Sequence, residues 1–127
     1  MSIMSKILGN AVEFDSAEAT SNLANILIPN EQVVKAYKLV RDQIIFTSER
    51  LILINIQGIT GTKTSHESIP YSSIKVFTME TAGTFDLDSE IKLHIHGLSA
   101  PISLAFKKGT ELDTIYRTLS TYTLRDN

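Results

Sequence analysis

Two histidines, His94 and His96, are the residues of this 127-residue chain whose spacing most suggests metal chemistry. Side chains two positions apart on a β-strand share a face, so the two imidazoles could bind one metal ion together. The third histidine, His66, is distant in sequence, and the pair has no obvious third ligand. We therefore interpret the pair as imidazoles on the face of a strand, and we predict no metal ion and no cofactor.

An acidic run, Asp86–Asp88–Glu90, begins like a calcium-binding loop. In such a loop the sixth position is a glycine that allows a sharp turn, and the twelfth is a glutamate that binds calcium through both oxygens. Here those positions hold Ile91 and Gly97. The sequence therefore excludes a calcium loop.

The segment Gly58–Ile59–Thr60–Gly61 matches the GXXG loop of RNA-binding KH domains. That loop joins two helices near basic residues, whereas this one follows a predicted strand, so we interpret it as a hairpin loop. The net charge of −2 gives no broad electrostatic surface for nucleic acid or anionic lipid. No nucleic-acid partner is expected, and a membrane partner is disfavoured.

Catalytic groups are present without a catalytic pattern. Ser48, Glu49 and a histidine are residue types that could form a catalytic group, but the sequence contains no motif that pairs a nucleophile with a base. The chain has no cysteine, which removes thiol nucleophiles, thiolate metal sites and disulfides together. We predict a protein that is not an enzyme.

Length and composition indicate one ordered domain. A chain of this size buries roughly two thirds of its unfolded surface, and its 43% hydrophobic and 20% charged residues are ordinary for a globular protein. The N-terminus lacks the uninterrupted apolar stretch of a signal peptide, and no segment has the roughly 20 apolar residues that span a bilayer. These features predict a cytoplasmic protein.

The first residues have a helical period. Ile3, Met4, Ile7, Leu8 and Val12 recur at spacings of three and four, which predicts a helix over residues 3–12, although Gly9 weakens it by about 1 kcal/mol. A second short helix should begin at an N-cap near Asp15 or Ser16 and end before Pro29. Residues 1–28 are thus expected to be an N-terminal helical extension.

The rest of the chain predicts seven strands and one helix. The strands are short runs rich in Val, Ile, Leu and Phe, separated by turn residues: 33–40, 43–47, 50–56, 62–69, 73–81, 90–96 and 102–106. An amphipathic helix over residues 110–124 follows the β-barrel region of residues 31–107, with Thr110 and Asp113 in a capping-box-like pattern. One core should form beneath this helix. Its predicted members are Leu51, Leu53, Ile74, Val76, Leu93, Ile95, Leu112, Ile115 and Leu119.

This strand count fits a mainly β, pleckstrin-homology (PH)-like barrel of two near-orthogonal antiparallel sheets, closed at one end by the C-terminal helix. The sequence also resembles one particular family, the bacterial PH domain family of single-domain proteins. The resemblance covers nearly the whole chain, and three segments carry it: RDQIIFTSERLILINIQGITGTK, SIPYSSIKVF and METAGTFDLDSEIKL. Two positions depart from the family. Asn55 stands where an acidic residue is usual, and Thr62 stands where lysine is common.

The resemblance implies a non-enzymatic PH-like module that assembles with itself into a closed ring, with a pentamer as the favoured form. The polar strand ends of neighbouring subunits are then expected to meet at the junctions of the ring and to bind another, unidentified protein. The candidate surface is Arg41, Asp42, Glu49, Arg50, Gln57, Lys63, Glu80, Thr81 and Asp86.

The alternative function is a peripheral membrane or lipid head-group binding domain. Phosphoinositide recognition by PH domains needs several bases around the first hairpin. Lys38 and Arg41 qualify, but Asp42 follows at once and residues 43–47 contain no base. We expect Arg41 and Asp42 to pair with each other in a polar turn.

Overall fold

The structure is a computed structural model, and it describes residues 6–39, 41–85 and 88–125. The predicted apolar runs form strands, and one further strand precedes them. The strands are β1 Lys6–Phe14, β2 Val33–Lys38, β3 Gln43–Thr47, β4 Arg50–Gln57, β5 Lys63–Pro70, β6 Ile74–Glu80, β7 Asp88–Ile95 and β8 Ile102–Lys107. The helices are α1 Ser16–Asn22 and α2 Leu112–Thr123, and a short 3₁₀ turn covers Tyr71–Ser73.

The prediction of a helix over residues 3–12 is wrong where the structure describes it, because residues 6–14 form β1. Residues 3–5 lie outside the described residues. β1 pairs in parallel with β8 and antiparallel with β2, so the sheet supplies backbone hydrogen bonds on both of its edges. Such tertiary pairing overrides a helical pattern that Gly9 already weakens. The described residues therefore form eight strands, where the sequence predicts seven.

The strands form one sheet in the order β5-β4-β3-β2-β1-β8-β7-β6. β1 joins two sections of the sheet: the first section is formed by β2–β5 and the second section by β6–β8. The first half of β1 pairs with β8, and its last residues pair with β2. The register between β1 and β8 shifts between Ile7 and Ala11. All other neighbours are antiparallel. Among the described residues, β5 and β6 each pair with one strand only, so they are the edges of the sheet.

Apolar side chains cover both faces of the first section, which explains the continuous apolar runs of β3 and β4. The inner face, together with the second section and α2, encloses the main core, which includes Phe46, Leu53, Leu93 and Ile115. The outer face carries a second core beneath α1. Its buried members are Ala19, Leu23, Ala36, Ile45, Ile52 and Ile54.

Of the predicted core residues, Val76 is misplaced, because its side chain is 49% exposed. The sequence suggested that Val76 would share the inner face with Ile74, two positions earlier. However, Ile74 pairs with Ile95 and Val76 with His94, so Lys75 is an extra residue in β6. This β-bulge shifts the alternation of side chains, and Phe77 packs against the core instead.

Both helix starts were predicted from their N-caps, and one of them is correct. Asp15 caps α1, and its carboxylate accepts a hydrogen bond from the backbone N–H of Ala17 at 3.0 Å. Thr110 does not cap α2, which has Glu111 at its N-cap position without a side-chain hydrogen bond. The Thr110 hydroxyl donates instead to the carbonyl of Lys107 at 2.6 Å, and so closes the turn before the helix.

Candidate functional site

The structure separates the predicted binding surface into different parts of the sheet. Arg41 and Asp42 lie in the β2–β3 turn, beside the β4–β5 hairpin whose ends are the paired residues Gln57 and Lys63. We call these four residues the hairpin rim. The other predicted members lie elsewhere: Glu49 and Arg50 at the opposite end of β4, and Glu80 and Thr81 at the end of β6. Asp86 lies outside the described residues.

Arg41 contacts the loop of the β4–β5 hairpin and stabilises it. Its Nη2 donates a hydrogen bond to the carbonyl of Gly58 at 2.7 Å. Gly61, with a φ of +70°, lies so close that a Cβ there would be 3.2 Å from the same nitrogen. The guanidinium therefore holds the hairpin loop against the β2–β3 turn.

Asp42 makes a second link to the same hairpin. Its Oδ1 accepts from the backbone N–H of Ile56 at 3.2 Å and from Nδ2 of Asn55 at 3.3 Å. The expected pairing of Arg41 with Asp42 is therefore wrong, because each side chain reaches across to β4 and its loop. The amide of Asn55 is suited to this position, since an acidic residue there would face the Asp42 carboxylate without a proton to donate.

Arg50 belongs to a buried structural network. Its Nε and Nη2 each donate to a carboxylate oxygen of Glu31 at 3.0 Å, and Nη2 also donates to the carbonyl of Ile26 at 2.9 Å. The Glu31 side chain is fully buried and accepts two further hydrogen bonds, from the Thr47 hydroxyl at 2.6 Å and from the Ile28 N–H at 3.0 Å. The network ties the α1–β2 connection to β4.

Sequence analysis missed Glu31, although a turn signal precedes it. The N–H of Glu31 bonds to the carbonyl of Ile28, and Asn30 between them has a φ of +70°. Proline followed by asparagine at a positive φ is typical of a type II turn, and it places Glu31 against β4. Burial alone would raise the Glu31 pKa, but the hydrogen bonds from Arg50, Thr47 and Ile28 and the charge of Arg50 lower it below its ordinary value.

His94 and His96 are both exposed. His94 is the residue before the end of β7, and His96 follows that end, where its N–H donates to the carbonyl of Ser73 at 2.8 Å. His66 lies on β5 opposite Ile54, away from the pair. Within the part of the chain that the structure describes, no three histidine or carboxylate side chains come together as a metal site.

No helix of the described residues has an apolar stretch long enough to cross a membrane. The hairpin rim offers charges of both signs on two loops that are fixed to each other. Such a surface can recognise a partner through polar contacts.

Replacing Arg41 with alanine should loosen the β4–β5 hairpin while the fold persists. The change removes the hydrogen bond to Gly58, and one such bond at an exposed site contributes about 0.5–1.5 kcal/mol. Hydrogen exchange at the amides of residues 56–63 should therefore become faster. Lys63→Ala is the control, because it removes an exposed charge from the same hairpin. Unchanged exchange in the Arg41 variant would show that this contact does not hold the loop.

Known proteins are similar to this chain over most of its length. The family described as Bacterial PH domain matches residues 2–123. A protein of Bacillus subtilis (strain 168), the uncharacterized protein YjqA, is 49% identical over 121 residues, which is 94% of this chain and 97% of that protein. A second uncharacterized protein of the same organism, YozO, is 32% identical over 98 residues, 77% of this chain and 83% of its own length.

Two solved structures share the fold and much of the sequence. A crystal structure of a DUF1696 family protein with a pleckstrin-homology domain from Shewanella loihica PV-4 has a TM-score of 0.84 and 45% identity, covering 91% of this chain and 98% of that one. A pleckstrin-homology domain from Shewanella amazonensis SB2B has a TM-score of 0.73 and 49% identity, covering 92% and 94%. These similarities confirm the predicted PH-like fold and the predicted family.

Proposed function

Because the chain belongs to the bacterial PH domain family, we propose that it is a non-enzymatic interaction module that forms a closed ring of identical subunits and binds another protein through its hairpin rim. The observation that carries the proposal is the pair of open sheet edges. In the described residues β5 lacks a second neighbour beyond β4, and β6 lacks one beyond β7. Unpaired strand edges are templates for association with another chain.

The two edges differ, and this favours a ring over a two-fold dimer. β5 carries Lys63 at its start and ends at Pro70. β6 exposes Val76 and Met79 and contains the bulge at Lys75. Contacts between two different surfaces of the same protein repeat head to tail, and they close into a ring when the rotation between neighbours allows it. A five-membered ring is the form that the family resemblance favours.

The hairpin rim is the part of the predicted surface that supports partner binding best. Arg41, Asp42, Gln57 and Lys63 are brought together by the links from the β2–β3 turn to the β4–β5 hairpin. Arg50 does not belong to this surface, because its side chain is only 22% exposed and is paired with the buried carboxylate of Glu31. A ring would present several copies of the rim side by side, so that a partner gains affinity by contacting more than one.

Lipid head-group binding ranks second. The bases near the β2–β3 turn already make contacts within the chain: Arg41 donates to Gly58, and the Lys38 ammonium lies 4.9 Å from the centre of the Phe14 ring. A phosphate would have to compete with these contacts. We propose the cytoplasm as the place of action.

Light scattering after size-exclusion chromatography should report about five times the subunit mass of 14.1 kDa at micromolar concentration. Native mass spectrometry should give the same stoichiometry and show whether intermediate species accumulate. A monomer across the micromolar range would refute the ring, and with it the composite rim. If the protein forms a ring, the intact ring can serve as the bait in an affinity pull-down that isolates the protein partner.

A further inference from the structure

The bulge in β6 borders a shallow cleft. The extra residue Lys75 and its neighbour Val76 line one side, and the end of β7 with the following turn lines the other. Bulges redirect side chains and are common next to functional sites. Here the bulge brings Val76 to the outer face opposite His94.

The cleft is apolar at its walls and basic at its margin. Val76 is 49% exposed and Leu98 is 41% exposed. The charged or titratable side chains that line it are those of Lys75, His94 and His96, and none of its lining residues in the described part of the chain is acidic. The cleft therefore suits an apolar group that carries negative charge beside it.

Acids on the same face of the sheet do not neutralise this basic margin. Glu80 and Glu90 lie farther along β6 and β7, and both contact Lys92, with carboxylate oxygens 3.4 Å and 3.7 Å from its Nζ. The basic groups of the cleft thus remain available to a ligand.

The opposite end of the same hairpin presents an apolar group of this kind. Phe85, in the β6–β7 turn, is 97% exposed. The turn is anchored, because Lys108 Nζ donates to the carbonyls of Gly83 at 3.1 Å and Thr84 at 3.2 Å. In the sequence, acidic residues follow Phe85 at positions 86 and 88. A large aromatic side chain held in place by its loop loses little entropy on binding, which is a property of interface hot spots.

We propose that Phe85 of one subunit inserts into the cleft between Val76 and Leu98 of the next subunit. The inference rests on the proposed ring, and it names the contact that builds it. The ring of Phe85 lies against the two apolar walls and beside the ammonium of Lys75, an arrangement that adds a cation–π attraction.

A second copy of this chain is the occupant that the geometry favours. The donor turn and the acceptor cleft lie at opposite ends of the β6–β7 hairpin, and the seven residues of β6 separate them by about 20 Å. One subunit therefore cannot fill its own cleft. Each subunit can give its turn to one neighbour and receive the turn of another, as a head-to-tail ring requires.

Two variants and their mixture test this contact. Phe85→Ser removes the inserted group, and Val76→Glu places a carboxylate on the cleft wall. Both sites are exposed, so the circular dichroism spectra of the variants should match that of the wild type. Each variant alone should lose the ring, with an about fivefold drop in mass by light scattering. Mixed in equal amounts, they should form a dimer of one subunit of each kind. In that dimer Phe85 of the Val76→Glu protein meets the intact cleft of the Phe85→Ser protein.

The controls separate this contact from the ring itself. Ile59→Ser alters the exposed isoleucine of the β4–β5 loop and should leave the ring intact; Leu98→Ser tests the other cleft wall if Val76→Glu does not fold. A monomeric wild type refutes the proposed ring. If the wild type forms a ring and the Phe85→Ser protein forms the same ring, only this interface is refuted. A mixture of the two variants that stays monomeric also refutes only this interface. Binding of anionic lipid vesicles that Phe85→Ser abolishes while the ring persists would assign Phe85 to a membrane instead.

Discussion

Replacing Ile115 with alanine should lower the free energy of unfolding by about 2–5 kcal/mol. Ile115 is fully buried on α2, between the buried Leu112 and Leu119 of the same stripe. The change removes apolar contacts to the inner face of the sheet and leaves a cavity that a closely packed core fills poorly. Chemical denaturation followed by circular dichroism measures the effect.

Arg117→Ala provides the matched control for this experiment. It lies two positions later on the same helix and is exposed, so its substitution should change the free energy of unfolding by less than about 0.5 kcal/mol. An Ile115→Ala variant that falls in the same small range would show that α2 is not docked on the sheet.

The sequence predicts most elements of this fold because their signals are local. The run Gln43–Thr47 between two turns has its predicted bounds, and the apolar stripe of α2 faces the core as its period requires. α1 also begins at the predicted cap, because a side chain that accepts a hydrogen bond two residues later needs no information from the rest of the chain.

The errors occur where distant pairing decides the structure. β1 has a helical pattern, but β2 and β8 on its two sides make it a strand. Val76 changes face because of a bulge at Lys75 that only the pairing with β7 reveals. Neither feature has a signature within a few residues of sequence.

The candidate site shows the same limit. The sequence predicts positions at strand ends for Arg41, Asp42, Gln57 and Lys63 because turn residues mark those ends, and the structure has these residues there. Their links across the sheet, from Arg41 to Gly58 and from Asp42 to Ile56, depend on the packing of two hairpins. The sequence predicts that Arg50 belongs to the binding surface. Its partner Glu31 lies 19 residues earlier in the chain, so no local pattern indicates their pairing.

Replacing Glu31 with glutamine should destabilise the fold at neutral pH by about 1.5–3 kcal/mol, the range for hydrogen bonds that involve charged groups. The amide keeps the shape of the side chain but loses the charge, so Arg50, whose side chain is only 22% exposed, is left without its counter-ion. Glu13→Gln is the matched control, because Glu13 and its partner Lys35 form an exposed ion pair at 3.1 Å. Exposed pairs of this kind contribute about 0–1 kcal/mol.

The pH dependence distinguishes the charge of Glu31 from its packing. The folded protein lowers the Glu31 pKa below its ordinary value of 4.5, so the stabilisation is fully present above that pH and is lost as the pH falls through the folded-state value. The difference in unfolding free energy between wild type and Glu31→Gln should therefore be constant from neutral pH to about pH 5 and shrink in more acidic solution. Denaturation series at matched pH values measure it. A difference that stays constant into acid would mean that the loss of stability does not come from the charge of Glu31, and that its ion pair with Arg50 does not stabilise the link between the α1–β2 connection and β4.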